Sequence, residues 1–135
     1  MKSVIISIKP EWCSKIFNEH KFDEIRKTRP AIDPPFKVYV YCSKGNLHMY
    51  NWVLCRQNGT ICGEFICDKI TKIERPFSGK EAESALTAKQ MYEYAGSNET
   101  LWDWHIKEVT VYQSPKSLNQ FGLKHAPQSW QYVNE

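Results

Sequence analysis

Residues 21–30 of the 135-residue chain have the sequence KFDEIRKTRP, a short, strongly charged stretch with the length of one β-strand. On a strand, Glu24, Arg26 and Thr28 share one face, and Lys21 lies at the turn that leads into it. Two interpretations are open. In the first, this is a solvated edge strand whose ion pairs also oppose aggregation. In the second, the charges line a pocket, where a desolvated lysine acts as a base or an anion-binding group and Arg26 binds a phosphate or carboxylate.

Short β-rich segments on both sides of this strand indicate the fold class. Pro10 fits the first position of a helix, where a missing N–H costs nothing, and Thr87 fits a helix N-cap. Between Trp102 and Val111 the apolar positions change face, which predicts a β-bulge. Strands are predicted at residues 3–8, 21–28, 36–42, 60–73, 101–113 and 130–133. The sequence therefore predicts a single α+β domain over residues 1–135, a small β-barrel, closed or half-open, with short flanking helices.

The composition is that of an ordinary globular domain. Hydrophobic residues make up 41% and aromatic residues 13% of the chain, which excludes disorder, collagen and coiled coil. The formal charge of +3 is compatible with an anionic partner but gives no sign of a broad duplex-binding surface. No apolar run approaches the roughly eighteen residues of a membrane helix, and the first residues carry no cleavage site typical of a signal peptide. We therefore expect a cytoplasmic protein with no membrane partner.

Metal and cofactor sites have no support in the residue spacing. The five cysteines include no CxxC pair and, without an export signal, are expected to be free thiols. A zinc site built from His48, Cys55, Cys62 and Cys67 matches no established ligand spacing. The sequence also lacks the motifs of P-loop enzymes, dinucleotide-binding domains, and common serine and zinc hydrolases. We expect neither a metal nor a cofactor.

Two further charged residues are candidates for the same pocket. Glu64 lies in the middle of the longest predicted strand, on the face expected for Cys62, where a carboxylate needs a cationic partner or titrates abnormally. A structural salt bridge to Arg26 or Lys21 accounts for Glu64 equally well. Lys9 lies between the first strand and the first helix, where its side chain could face the same cleft.

The five tryptophans have different expected roles. Trp12 belongs to the apolar stripe of the first helix and is expected in the core. Trp52, in a loop, and Trp130, near the end of the chain, are candidates to stack on a base.

Residues 19–26, EHKFDEIR, follow the first predicted helix and correspond to a G-x-K-x-x-E-x-R motif in which Glu19 replaces the glycine. The sequence SIKP at 7–10 precedes this motif, and the pair GE at 63–64 follows it. With these residues the chain resembles the ASCH family of the PUA-like superfamily over nearly its whole length. The resemblance implies a β-barrel whose cleft is lined by the motif and suits RNA or a nucleotide-like ligand.

The resemblance leads to our first hypothesis, an RNA- or nucleoside-binding domain whose partner is single-stranded RNA or a modified nucleoside. Arg26 and Lys9 would bind a phosphate or a carbonyl, the carboxylates would accept from base or ribose donors, and an aromatic side chain would stack on the base. The sequence leaves the oligomeric state open. The ligand-binding residues expected on this hypothesis are Lys9, Lys21, Glu24, Arg26, Glu64 and Trp130.

Enzymatic relatives imply two alternatives. Some small bacterial relatives look like amidohydrolases that deacylate acetylated cytidine with a Lys, a Thr and a Glu. Lys21 and Glu64 match the first and last of these, whereas Glu24 occupies the Thr position, and a carboxylate replaces a hydroxyl donor only when protonated. In such an enzyme Lys21 would be the base or nucleophile activator, Glu64 the proton shuttle and Glu24 an orienting group. Other relatives look like ribonucleases, and a protein-interaction module is the remaining alternative.

Overall fold

The computed structural model describes residues 2–44, 59–77 and 81–134. The strands are β1 (Lys2–Ile8), β2 (Asp23–Arg26), β3 (Phe36–Cys42), β4 (Thr60–Glu74), β5 (Thr100–Lys116) and β6 (Trp130–Asn134). The helices are α1 (Pro10–Phe17), α2 (Glu81–Ser84) and α3 (Ala88–Ala95), with a 3-10 helix at Leu118–Phe121. The strands form one sheet in the order β2-β5-β4-β3-β1-β6, in which β1 and β3 are parallel and the other pairs antiparallel. This mixed sheet with short helices confirms the predicted α+β class.

Several predicted elements are confirmed because local chemistry specifies them. The strand β3 spans the predicted residues 36–42. Pro10 begins α1, as expected for a residue without an N–H. Thr87 caps α3 with a capping box, in which its side chain accepts from the N–H of Gln90 while the Gln90 side chain accepts from the N–H of Thr87. The helix ends at Gly96, which has a φ of 59°.

The charged strand is shorter than the predicted 21–28. β2 pairs with β5 only from Asp23, opposite His105, to Arg26, opposite Trp102. The N–H of Phe22, just before the strand, donates to the carbonyl of Glu83 in α2, while the Phe22 carbonyl accepts from the N–H of Ile106 in β5. Residue 22 therefore keeps only one backbone bond to β5, and the regular pairing starts at Asp23.

The sheet is not closed by backbone pairing, so the closed form of the predicted barrel is not observed. β2 and β6 are the two edges of the sheet, and side chains span the gap between them. Arg26 Nη1 donates to Ser129 Oγ at 3.1 Å, and Trp130 Nε1 donates to Thr28 Oγ1 at 2.8 Å. Farther along, the Ala31 N–H donates to the hydroxyl of Tyr132 at 2.7 Å. We call this contact line, formed by residues 26–31 and 129–132, the β2–β6 seam.

Two bulges change which residues face the core. In β5, Glu108 has a φ of 51°, and Ile106 and Val109 both contact the same core cluster although they are three residues apart. This confirms the predicted change of face. In β4, Ile61 pairs with Tyr41 and Gly63 with Val40, so Cys62 is an extra residue between the two pairs.

The core lies on both faces of the sheet. On one face α1 covers a large cluster that includes Val4, Ile6, Phe65 and Trp104, and on the other face a smaller cluster includes Ile5 and Tyr39. The parity of β1, with even-numbered residues in one cluster and Ile5 in the other, follows from the two-residue period of a strand.

A third cluster anchors α3 beside β2 and the start of β5 through Met91, Ala95 and Ile25. Both residues of α3 in this cluster are fully or almost fully buried, so the helix is firmly attached to the sheet. No helix in the described part of the chain is long and apolar enough to span a membrane.

Candidate functional site

A cavity of about 830 Å³ opens beside the charged strand, at the end of the sheet where β1 and β3 finish. Its walls come from the start of α1, from β2, from α3 and from the segment that precedes β6. We call it the cluster pocket, after the charged cluster in its wall. Four of the residues predicted for ligand binding line it: Lys9, Lys21, Glu24 and Arg26.

The three charged motif residues form one buried ion network. Lys21 Nζ lies 3.3 Å from Glu24 Oε1, and Arg26 Nε and Nη2 lie 2.8 Å and 2.7 Å from Glu24 Oε2. Lys21 also donates to the carbonyl of Ser84 in α2. Lys21 is 2% and Glu24 6% exposed. Although β2 is an edge strand, its charged side chains are therefore buried, and the first sequence interpretation, a solvated edge, is wrong.

Burial and charge act in opposite directions on this network. Burial lowers the pKa of Lys21 from its usual value, and the nearby carboxylate of Glu24 only partly offsets this. Burial alone would raise the pKa of Glu24, but the charges of Arg26 and Lys21 outweigh it and hold that pKa below the usual value. Glu24 is therefore ionised at neutral pH.

Arg26 uses most of its donors within the protein. Besides its bonds to Glu24, Nη1 donates to Ser129 Oγ at 3.1 Å and Nη2 donates to the Ser7 carbonyl at 2.7 Å. The guanidinium thus connects β2 with β1 and with the residue before β6. A phosphate could reach its planar fork only by replacing some of these partners.

Two other lysines lie at the exposed rim of the cluster pocket and not in its buried wall. Lys9 and Lys44 line the cluster pocket and are exposed, and neither makes an ion pair with another residue in the described ranges. The rim is therefore the part of the pocket with cationic groups available to an anionic ligand.

Aromatic side chains form part of the pocket walls. Trp12 packs against the main core cluster, as predicted, but its side chain is only partly buried and also lines the pocket. Lys21 Nζ and Lys15 Nζ lie 5.5 Å and 4.9 Å from its ring centroid. Tyr94 of α3 lines the pocket as well and is 37% exposed. Burial raises the pKa of the Tyr94 hydroxyl, so it remains protonated at neutral pH.

Sequence analysis did not predict a role for Tyr94 or for several polar residues of the pocket. Tyr94 lies almost seventy positions from the motif, and only the packing of α3 beside β2 brings it there. Tyr94 precedes Ala95, which faces the core, so the tyrosine lies on the exposed side of the helix. The other such residues are Ser7, Tyr41, Ser43, Gln90 and Gln128.

Glu64 is not brought to the other charged residues. Its Oε1 accepts from the Tyr112 hydroxyl at 2.7 Å, and its Oε2 lies 3.4 Å from Lys37 Nζ. It pairs across the sheet with Tyr39, on the face away from α1. The predicted shared face with Cys62 is wrong, because the bulge in β4 turns the Cys62 side chain into the cluster beneath α1.

Trp130 lies at the β2–β6 seam, next to the cluster pocket but outside its lining. Its ring meets those of Trp104 and Tyr132 edge to face, with centroids 5.8 Å and 5.3 Å away. The second tryptophan proposed for stacking, Trp52, lies outside the described residues.

Of the four residues considered for a zinc site, the structure describes two. Two of the four residues considered for zinc, His48 and Cys55, lie outside the described residues. Cys62 and Cys67 are free and buried, and burial raises the pKa of Cys67 to about 12, which disfavours the thiolate. Within residues 2–44, 59–77 and 81–134, no group of three His, Cys, Asp or Glu side chains is arranged to hold a metal ion.

Comparisons with known proteins give matches in structure but not in sequence. No protein-family model and no curated protein matches the chain. The crystal structure of ASCH from Zymomonas mobilis superposes with a TM-score of 0.78 at 18% identity, covering 98% of this chain and 88% of that one. The Tyr-to-Phe variant of the same Zymomonas mobilis protein, called ZmASCH, superposes with a TM-score of 0.79 at 17% identity, covering 100% of this chain and 92% of that one. Its Ser-to-Ala variant gives 0.78 at 17% identity, covering 98% and 89%.

Proposed function

Since the chain has the fold of an ASCH domain, we propose that its cluster pocket binds a nucleoside unit, either free or within single-stranded RNA. The observation that carries the proposal is the combination, in one cavity of about 830 Å³, of aromatic side chains, Trp12 and Tyr94 among them, with a buried charged cluster. Ligand pockets typically have volumes of about 300 to 1,000 Å³ and combine apolar walls with a few well-placed polar groups. Trp12 and Tyr94 supply the surface against which a base can stack.

The distribution of charge supports a base inside and a phosphate at the rim. In the cluster, the negative charge of Glu24 offsets one of the two positive charges of Lys21 and Arg26, so the interior favours a polar, weakly charged group. The exposed ammonium groups of Lys9 and Lys44 lie where a sugar-phosphate would leave the cavity. Phosphate contacts fix the position of a nucleic acid, and contacts with base edges give specificity.

Calorimetric titration with the four ribonucleosides and their monophosphates tests this proposal. We expect at least one of them to bind, and we expect Trp12→Ala to weaken that binding about tenfold or more, because base–aromatic stacking contributes about 1 to 3 kcal/mol. Phe22→Ala is the matched control, since Phe22 is 46% exposed and does not line the pocket. Absence of binding to every nucleoside, nucleotide and short RNA, or unchanged affinity of Trp12→Ala, would contradict the proposal.

Hydrolysis of an N-acylated cytidine is the second candidate, supported by the lowered pKa of Lys21 inside a cavity. A lysine with a lowered pKa is present to a larger fraction as the neutral amine, the form that can accept a proton from a water that attacks the acyl carbon. Glu24 is ionised and paired, and Glu64 lies outside the pocket, so such a reaction would depend on Lys21 without the other two expected catalytic groups.

Mass spectrometry of acetylated cytidine and short RNAs after incubation with the protein separates these activities. If the protein is an amidohydrolase, the acetyl group is lost with the wild type and retained with Lys21→Met. Glu64→Gln then shows whether the remote carboxylate contributes to turnover. Cleaved RNA would indicate a ribonuclease instead, and intact substrates that still bind would favour the binding domain.

A further inference from the structure

The β2–β6 seam begins at the cluster pocket and continues away from it along β6. Gln128 lines the pocket, and the next residue, Ser129, accepts the hydrogen bond from Arg26. Trp130 and Tyr132 follow at alternate positions of β6, so both side chains lie on the same face of the strand. A row of aromatic side chains therefore starts where the pocket ends.

Hydrogen bonds hold both rings in place. Trp130 Nε1 donates to Thr28 Oγ1 at 2.8 Å, and the Tyr132 hydroxyl accepts from the Ala31 N–H at 2.7 Å. Tyr132 is nevertheless 37% exposed, and Lys2 Nζ lies 4.7 Å from its ring centroid. Side chains that are already ordered lose less conformational entropy when a ligand binds, which favours their use as a stacking surface.

The pocket carries a similar pair at its wall. Tyr94 is also 37% exposed, and Lys27 Nζ lies 5.0 Å from its ring centroid. An exposed tyrosine beside a lysine is thus present both at the pocket and on the seam. Aromatic rings for bases with neighbouring cations for the backbone are the two components of surfaces that bind single-stranded nucleic acids.

We propose that single-stranded RNA extends from the cluster pocket along the β2–β6 seam, with bases stacked on Trp130 and Tyr132 and a phosphate bound by Lys2. The inference rests on the proposed function, because it requires that the pocket holds one nucleotide of the strand. From Gln128 to Tyr132 the strand rises about 13 Å, at roughly 3.3 Å per residue. The ligand of this site is accordingly an RNA segment of about three nucleotides, one in the pocket and two with their bases on Trp130 and Tyr132, and not a free nucleoside.

Fluorescence anisotropy with labelled RNAs of increasing length, from one to six nucleotides, tests the path. Affinity is expected to rise by about tenfold or more as the RNA grows beyond the nucleotide in the pocket. Tyr132→Ala should remove about tenfold of the affinity for a hexamer while leaving mononucleotide binding unchanged. Tyr132→Phe is the matched control, because it removes the hydroxyl that braces the seam but keeps the ring. Thermal melting confirms that each variant is folded.

Lys2 supplies an independent test of the phosphate contact. Lys2→Ala should weaken hexamer binding and reduce its dependence on salt, whereas Lys69→Ala, at an exposed position on β4 away from the seam, should change neither. Two results would overturn the inference while the pocket function stands: an affinity that does not increase with length, or an equal loss in Tyr132→Ala and Tyr132→Phe. If neither a mononucleotide nor a hexamer binds, both this inference and the proposed function are wrong.

Discussion

Replacement of Arg26 by alanine gives a direct measure of how much the buried network contributes to stability. The side chains of Arg26 and Glu24 are 12% and 8% exposed, so solvent screens their interaction only weakly. The substitution leaves Glu24 with Lys21 as an ion-pair partner and removes the donors to the Ser7 carbonyl and to Ser129 Oγ. Loss of one partner from a buried pair costs about 3 to 5 kcal/mol. Because Lys21 still compensates Glu24, we expect about 3 kcal/mol, the lower end of that range.

Urea unfolding followed by tryptophan fluorescence gives the free energy of unfolding for this comparison. A loss of about 3 kcal/mol is a large part of the roughly 5 to 15 kcal/mol of a typical domain. The control is Lys72→Ala, which removes an ion pair to Glu74 of 3.1 Å whose side chains are 53% and 66% exposed. Such exposed pairs contribute below about 1 kcal/mol. If Arg26→Ala destabilises the protein no more than Lys72→Ala does, the network does not act as a buried one and the argument fails.

Three further predictions concern the same site and its support. The pKa of Glu24 lies below its unfolded value of about 4.3, so the ionised Glu24 stabilises the fold above that value, and this stabilisation is lost as the pH falls through the folded pKa. Glu24→Gln should therefore make the melting temperature depend less on pH below about pH 5. A pH profile identical to that of the wild type would contradict this. Gly63→Ala should cost about 1 to 3 kcal/mol in urea unfolding, because a Cβ there would clash with the Thr110 carbonyl oxygen of β5 and lie 2.7 Å from the Phe17 ring. An alanine without effect would mean that both β5 and the end of α1 shift freely. Thr87→Ala should cost about 1 kcal/mol by removing the cap of α3, and Thr87→Ser should restore most of the stability.

The elements that sequence predicts well here are those fixed by local chemistry. Pro10 and Thr87 mark helix starts because the missing N–H and the capping hydroxyl act within a few residues. The change of face in β5 is visible as a break in the two-residue period, and the bulge at Glu108 confirms it. Closure of the barrel is different, since it depends on whether two distant edges pair. Side chains of the seam span that gap in place of a backbone ladder, and no pattern within one strand indicates this.

The sequence likewise predicts those parts of the site whose residues are close together in the chain. Lys21, Glu24 and Arg26 are close in sequence, and a short strand brings them together in one wall. Counting alternate residues places Glu64 on the face of Cys62, and the bulge at Cys62 breaks this count. The aromatic walls, Trp12 and Tyr94, come from helices whose placement depends on tertiary packing. For Trp12, the helical stripe predicts burial, but such a stripe cannot distinguish the centre of the core from its border.

Hydrogen bonds between residues far apart in the sequence also determine when the pocket can form. The bond from Ser7 Oγ to the Pro127 carbonyl joins residues 120 positions apart, and the bond from Arg26 to Ser129 joins residues 103 apart. Contacts of such separation form late, because a long chain must lose its freedom before they can stabilise it. During folding the pocket therefore lacks one of its walls until residues 126–129 pack against the strands β1 and β2.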